Sequence, residues 1–283
     1  MNKTIATIVL IAALLGWTGG LHAENTQINI SLGGGLHPIQ YETKVGSTSP
    51  GGGVLFQCQY QYFFKGIIGI GAGVGVDYYN ASTEIDETFE SEINDPIVGG
   101  PYTLRTIFDD WKEKQTLLMA ELPVGIYGKV KMGRTVSLIL GAGVKVGVPV
   151  IKSYQMTDGT IETRAYFGGN MDTEVRDLPH HGLYVDKQQK RGDIVTNTIC
   201  TSIFADMMFC FKINESTWFH CGFYFSKGVT DIAEHHESME GNNYHGILNS
   251  DLTDKCVPMS VGAKLGVSVF PSKGSDRGTS GKW

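Results

Sequence analysis

Six ionisable residues lie on the same side of segments that alternate in polarity along this 283-residue chain. Their neighbours on that side are mainly glycine and serine, and the six are Asp77, Glu121, Lys145, Asp206, His220 and Lys264. Opposite charges that share an enclosed space can neutralise one another, or they can line a path for ions. Because an unpaired buried charge is costly, we expect pairing, with a water-filled ion path as the alternative.

Glu121 and Lys145 are the two charges most directly related by spacing. A hairpin that turns around Gly133 would place Glu121 directly opposite Lys145. Lys264 lies on the same face of the last alternating segment and is a further candidate for this pairing. The sequence therefore predicts an internal salt-bridge network built on Glu121 and Lys145, with Asp77 and Asp206 on the same inner face.

Five histidines lie in two of the polar connectors between these segments. They are His180, His181, His235, His236 and His245, and imidazole is the commonest side-chain ligand of metals. Adjacent histidines rarely bind one ion together, and no cysteine or carboxylate is spaced to complete a known site. We expect solvated histidines, no metal and no cofactor.

The row His236, Ser238 and Glu240 contains the residue types of a serine-hydrolase triad. On a strand, alternate residues of this kind would share one face. The surrounding stretch, 233–243, is polar, which places it above a bilayer rather than beside acyl chains. A lipid-modifying enzyme is therefore the least favoured function, and we expect no enzymatic activity.

The connector at 80–114 is acidic. Its carboxylates are Glu84, Asp86, Glu87, Glu90, Glu92 and Asp95. Such oxygen atoms could hold calcium, but the Asp-x-Asp-x-Asp-Gly pattern of a calcium loop is absent. We expect a solvated acidic loop, whose functional role would be contact with a ligand, because binding residues concentrate in loops on a rigid scaffold.

Eight segments with a period of two must position all of these groups. In 135–148, for example, Val136, Leu140 and Val144 share one face while Ser137 and Lys145 share the other. The predicted strands are 27–37, 53–64, 67–79, 115–129, 135–148, 195–213, 217–229 and 257–270. Each is long enough for the roughly 9 to 11 residues that a tilted membrane strand needs.

The outer face of these strands is aliphatic from end to end, which favours lipid rather than water around it. Connectors at 65–66, 130–134 and 214–216 are short and alternate with long ones. Short periplasmic turns and long external loops are typical of outer-membrane barrels. The sequence predicts an all-β fold, an eight-stranded antiparallel up-and-down transmembrane β-barrel with both chain ends in the periplasm.

Aromatic residues collect where the two membrane interfaces would lie. Those assigned to the short-turn side are Tyr60, Tyr62, Phe64, Tyr127, Trp218, Phe219 and Phe270, and those assigned to the other side are Tyr78, Tyr79, Phe223 and Phe225.

The alternation of faces along each strand puts Cys58 and Cys221 on the apolar face and Cys200, Cys210 and Cys256 on the inner face. From these positions we expect no disulfide.

Residues 1–23 have the charged start, apolar run and small residues of a secretory signal peptide, with cleavage expected after Ala23. The barrel domain then covers 24–270, and 271–283 is expected to be a polar periplasmic tail. The formal charge of -6 and the lack of a basic patch argue against a nucleic-acid partner. These features predict a location in the outer membrane, in contact with its lipid and lipopolysaccharide.

The segments 118–127 (LMAELPVGIY) and 224–232 (YFSKGVTDI), with an aromatic residue at the end of the last strand, resemble the small outer-membrane barrels of the OmpA/OmpX type and the so-called porin-family barrels. The resemblance implies a monomeric, non-enzymatic barrel with a structural role, or with surface interaction between its long loops and an unidentified extracellular ligand or partner. About eight strands leave an interior that side chains can just fill, so a plugged lumen is expected and a narrow passive porin for small solutes is the alternative. The peptidoglycan-binding domain of the OmpA pattern is not found after Phe270, so a cell-wall role is not expected.

Overall fold

The computed structural model describes residues 26–94, 100–167, 173–186, 190–234, 246–250 and 252–270, so the expected signal peptide (1–23) and tail (271–283) lie outside it. The strands are β1 (Thr26–Leu36), β2 (Ile39–Gln40), β3 (Ser47–Pro50), β4 (Gly52–Phe64), β5 (Ile68–Asn94), β6 (Pro101–Lys131), β7 (Val136–Phe167), β8 (Thr173–Val175), β9 (Val185–Asp186), β10 (Arg191–Asp193), β11 (Cys200–Lys212), β12 (Thr217–Gly228) and β13 (Val257–Val269). Short 3-10 turns lie at Pro179–His181 and Ile247–Asn249. None of the described helices is long and apolar enough to cross a bilayer.

Eight of these strands close into an antiparallel barrel. Each of β1, β4, β5, β6, β7, β11, β12 and β13 pairs with the next in that order. The last strand pairs back with the first, from Ile28↔Val269 to Leu36↔Val261. Closure pairs the backbone groups of both sheet edges within the wall, as strands in hydrocarbon require. The predicted eight-stranded up-and-down barrel is confirmed, and the five short strands lie in its connectors.

The two faces of the wall have the polarity that the sequence predicts. Leu140 and Leu265, on the outer face, keep 49% and 56% of their surface exposed, whereas the neighbouring inward lysines are almost fully buried. A water-soluble sandwich would show the opposite arrangement, with the leucines inside. The outer face of the barrel is therefore the apolar one.

Three strands are much longer than predicted. β5, β6 and β7 contain 27, 31 and 32 residues, and the first two form a continuous hairpin over most of 80–114. The segment is therefore a pair of strands and not the expected loop, but its acidic residues, such as Glu84 and Glu90, are exposed as predicted. The connector at 149–194 also begins as strand, and β8, β9 and β10 pair with that part of β7.

The polarity of the two faces reverses along these long strands. On β5 the outward residues change from Val74 and Val76 to Ser82 and Glu84, while Ile85 turns inward and is fully buried. The same change follows Leu118 on β6 and Ile151 on β7. We call the outer wall between the short turns and this level the apolar belt, and the strands beyond it the arm.

The apolar belt has the height of a membrane core. On β5 it spans the eleven residues from Ile68 to Tyr78, which matches the roughly 9 to 11 residues of a tilted membrane strand. Beyond it, water surrounds the wall and apolar side chains must be buried inside. The sequence did not predict the arm as strands, because there the apolar residues point inward, the reverse of the belt, and the outward residues include many acidic ones.

Apolar residues of the arm and of the connectors pack together above the barrel. We call this cluster the cap core; its buried members are Ile39, Tyr41, Tyr79, Ala81, Ile85, Phe108, Trp111, Leu117, Met119, Tyr154, Met156, Ile161, Ile194, Cys200, Ile232, Ala233, Ile247, Leu248 and Cys256. Burial raises the pKa of the Cys256 thiol to about 12, so this thiol stays protonated. The connectors are therefore folded over the barrel mouth.

Four of the aromatic residues assigned to the membrane interfaces lie on the inner face instead: Tyr79, Tyr127, Trp218 and Phe270, whose ring lies 5.5 Å from that of Trp218. Tyr79 and Tyr127 are buried, and Trp218 packs against the cluster that contains Tyr127. Each of them is separated by an even number of residues from inward glycines on the same strand, so it lies on the inner face. The interface assignment considered only the distance along the strand and not the face. Phe223, by contrast, is 59% exposed on the outer face.

The cysteines follow the parity that the sequence indicates. Cys200, Cys210 and Cys256 are buried, whereas Cys58 and Cys221 are half-buried, and all five thiols are free.

A charge introduced on the belt should be far more costly than the same charge on the arm. Val144 lies near the middle of the belt on β7, and Ser82 lies on the outer face of the arm. In lipid vesicles, Val144→Arg should lower the free energy of unfolding by about 2 to 4 kcal/mol, and Ser82→Arg by less than about 1 kcal/mol. Urea unfolding followed by tryptophan fluorescence measures both. Equal losses would show that the belt does not face lipid.

Candidate functional site in the barrel lumen

The strongest concentration of buried charge lies at the level where the belt ends. Lys145, on β7, places its Nζ 2.8 Å from Glu121 Oε2 and 3.2 Å from Asp77 Oδ2. All three side chains are almost completely shielded from solvent. One ammonium group is thus shared by two carboxylates that approach it from β5 and β6.

The strand register that supports this contact differs from the predicted one. Lys145 is opposite Pro123, and Glu121 is opposite Gly147. The turn is centred on Arg134 rather than Gly133, because the amide of Met132 donates to the carbonyl of Val136 and closes the hairpin there. Lys145 therefore reaches Glu121 diagonally, which its long flexible side chain permits.

Three residues that sequence reasoning missed complete this cluster. His37 Nδ1 lies 3.0 Å from Asp77 Oδ1, and its Nε2 forms a hydrogen bond of 2.5 Å with the hydroxyl of Tyr224. Tyr79 donates to Asp77 Oδ2 at 3.0 Å and to Glu121 Oε1 at 3.3 Å. The parity of His37, which matches that of the inward residues of β1, was the signal that could have found it.

Lys264 and Asp206 form a separate pair. Lys264 Nζ lies 2.9 Å from Asp206 Oδ1, so Lys264 does not join Glu121 and Lys145 as the sequence suggested. Glycines stand opposite Lys264 on both neighbouring strands, Gly33 on β1 and Gly222 on β12.

His220 is inward, as predicted, but it contacts hydroxyl groups. Its Nε2 lies 2.9 Å from Ser31 Oγ and its Nδ1 lies 3.0 Å from Ser268 Oγ. Nearby, Gln27, Asn29, Gln57, Gln59 and Gln61 are also buried. Neutral polar side chains therefore line the lumen around His220, and Lys129 adds a positive charge there, since its Nζ donates to Gln27 Oε1 at 3.2 Å.

The charges of the lumen nearly balance. The two buried ammonium groups, of Lys145 and Lys264, face the carboxylates of Asp77, Glu121 and Asp206. Because isolated charges are expensive in such surroundings, this pairing is what allows the charges to be buried.

Apolar and aromatic residues close the lumen toward the short turns. They are Phe63, Tyr127, Ile139, Phe204, Met208 and Cys210, with Trp218 packed against them. Lys129 Nζ lies 5.0 to 5.4 Å from the ring centres of Phe63, Trp218 and Phe270, a distance at which the cation is attracted to the rings. We call this group the lower seal.

Inward glycines let the aromatic rings fill the interior. A Cβ atom at Gly141 would lie 2.5 Å from the Tyr127 ring, and one at Gly33 would lie 2.7 Å from the Tyr224 ring. Beside these two glycines, the inward space is occupied by the rings of Tyr127 and Tyr224. We call the cluster of Lys145, Glu121 and Asp77 the charged layer; the lower seal lies on its short-turn side and the cap core on its other side.

The other predicted sites fall elsewhere. His180 and His181 lie in an exposed 3-10 turn, while His235, His236, Ser238, Glu240 and His245 lie outside the described residues. Within the described ranges, no three histidine, cysteine or acidic side chains converge on a point where a metal ion could be held.

The Lys264–Asp206 pair offers a clean test of how the buried charges contribute to stability. Lys264→Met should cost about 3 to 5 kcal/mol of unfolding free energy, because it leaves the Asp206 carboxylate buried and unpaired. Lys264→Met combined with Asp206→Asn should restore most of that loss, since the desolvation penalty disappears with the charge. Urea unfolding of the two variants in vesicles distinguishes these outcomes. A double variant as unstable as the single one would contradict the pairing.

Comparison with known proteins gives only weak similarities. No family model matches the chain, and no curated protein matches it. Among solved structures, Neisserial surface protein A is similar with a TM-score of 0.39 and 8% identity, over 89% of this chain and 99% of that one. The attachment invasion locus protein Ail of Yersinia pestis gives a TM-score of 0.30 and 11% identity in its complex with the heparin analogue sucrose octasulfate, over 86% of this chain and 99% of that one. All of these TM-scores lie below 0.5, so the barrel is established by the chain's own strand pairing.

Proposed function

We propose that the protein is an integral outer-membrane barrel without catalytic activity, whose lumen is plugged and whose arm and cap core form a rigid surface outside the membrane. Its role would be structural, or contact with an extracellular partner. The observation that carries the proposal is the reversal of polarity on β5, β6 and β7. The outer face of these strands is apolar in the belt, which suits a bilayer, and polar in the arm, which suits water.

The filled lumen supports a plugged barrel rather than a pore. A passive pore needs a continuous path of water, whereas here the charged layer lies between the lower seal and the cap core. The charges are engaged with one another at 2.8 to 3.2 Å. Such a network stabilises a closed interior and leaves its charged groups little freedom to bind a passing ion.

The arm supports a role in surface contact. Its outward charges form pairs, such as Arg105 with Glu90 at 2.7 Å and Lys112 with Glu84 at 3.2 Å. Arg164 lies between Glu162 and Glu174 and lowers the pKa of Glu162. A sheet with mixed, paired charges is a rigid platform, and partner-binding residues often occur on loops that such a platform holds.

The plug predicts an electrically silent protein. Purified protein reconstituted into a planar bilayer should give no steady conductance steps. Lys145→Ala should remain silent, because the lower seal and the cap core persist, but it should melt at a lower temperature since Asp77 and Glu121 lose their shared cation.

The matching control for this experiment is a gel. The unboiled sample must migrate differently from the boiled one, which shows that a closed barrel was present, and an open porin in the same bilayer must conduct. Steady conductance from heat-modifiable wild-type protein would overturn the plug and favour the passive pore.

A further inference from the structure

A groove opens on the outer wall of the barrel where the apolar belt ends. Its volume is about 560 Å³, and it lies between β2 and β3. β2 pairs with β13 and β3 pairs with β5, and among the described residues β2 and β3 are not paired with each other. The two strands of the first connector, β2 and β3, therefore lie apart and leave a gap in the wall above β1 and β4.

Two lysines line this groove just above the apolar belt. On β12 the outward residues are Phe223, Phe225 and then Lys227, so Lys227 is the first polar position above the belt. On β13 the residue opposite Lys227 is Met259, and Lys255 is the first polar outward position beyond Val257. Lys227 directly follows the apolar outward residues of β12, and lysine side chains commonly extend toward lipid headgroups from such positions.

The two lysines belong to the same side of the groove. Lys255 Nζ donates to the backbone oxygen of Val229, two residues beyond Lys227. Within the described part of the chain, no ion pair engages either ammonium group. Both therefore remain able to bind an anion.

The remaining polar groups of the groove are of a different kind. Glu42 and Asp254 offer carboxylates, and Thr48 and Ser49 offer hydroxyl groups. Carboxylates would repel a phosphate but accept hydrogen bonds from sugar hydroxyls. A ligand that carries both a phosphate and sugar hydroxyls would match the mixture of ammonium, carboxylate and hydroxyl groups that line the groove.

We propose that this groove binds the phosphorylated sugar headgroup of a glycolipid in the outer leaflet, with the phosphate on Lys227 and Lys255. The inference rests on the proposed function, because it requires the belt to lie in the outer membrane. The groove volume is within the roughly 300 to 1,000 Å³ of ordinary ligand sites. Leu36, Phe225 and Val261 are outward just below it, so the acyl chains of the same lipid would lie against the belt.

The test measures binding of diphosphoryl lipid A to the full-length protein in detergent by native mass spectrometry. Lys227→Gln combined with Lys255→Gln should weaken binding by about tenfold or more, since two charge-assisted contacts are lost. The matched control, Lys65→Gln with Lys131→Gln, removes two exposed lysines from the opposite rim and should leave binding unchanged. Wild-type protein should bind dephosphorylated lipid A as weakly as the lysine variant binds the phosphorylated form.

The outcomes separate this proposal from the proposed function. Equal affinity of the wild type and the groove variant, or an equal loss in the rim control, would overturn the groove site. Displacement of lipid A by millimolar inorganic phosphate would show that the site takes free anions, and would also overturn it. A wild-type protein that is not heat-modifiable would instead contradict the membrane barrel itself.

Discussion

The pairing of β13 with β1 is the constraint on which the rest of the structure depends. Because it closes the wall, every inward side chain shares one narrow interior and every outward side chain meets the surroundings. A shift of one residue in any strand would exchange the two faces. The register Ile30↔Val267 and Leu32↔Leu265 keeps large aliphatic residues outside at the seam, so the apolar belt is continuous around the barrel.

Closure also determines what can occupy the interior. Charges inside a narrow wall cannot reach bulk water, so they are retained only where partners from other strands reach them. Lys145 meets this condition with carboxylates from two strands, and Lys264 meets it with one. The lower seal lies on one side of the Lys145 cluster and the cap core on the other. The barrel and the arm belong to one folded unit, since β5, β6 and β7 run through both.

The sequence was sufficient for features that depend on parity alone. The eight barrel strands and the inward direction of Asp77, Glu121 and Lys145 follow from a period of two. The β6–β7 register did not follow, because it depends on the hydrogen bond between Met132 and Val136. The partner of Lys264 depends on the stagger of strands around the barrel, which no local pattern encodes. The arm was missed because its residues obey the rule of a water-exposed sheet, with apolar side chains inside.

The central claim is that lipid ends and water begins at the level of Tyr78 on the outer face of β5. The most direct measurement is the accessibility of spin labels at Ile70, Val74, Ser82 and Glu84 in vesicles, in a background with the five native cysteines replaced by alanine. We expect labels at 70 and 74 to be accessible to oxygen and shielded from a water-soluble nickel reagent, and labels at 82 and 84 to show the reverse. Water accessibility at all four positions, or lipid-like values as far as Glu84, would contradict the structure described above.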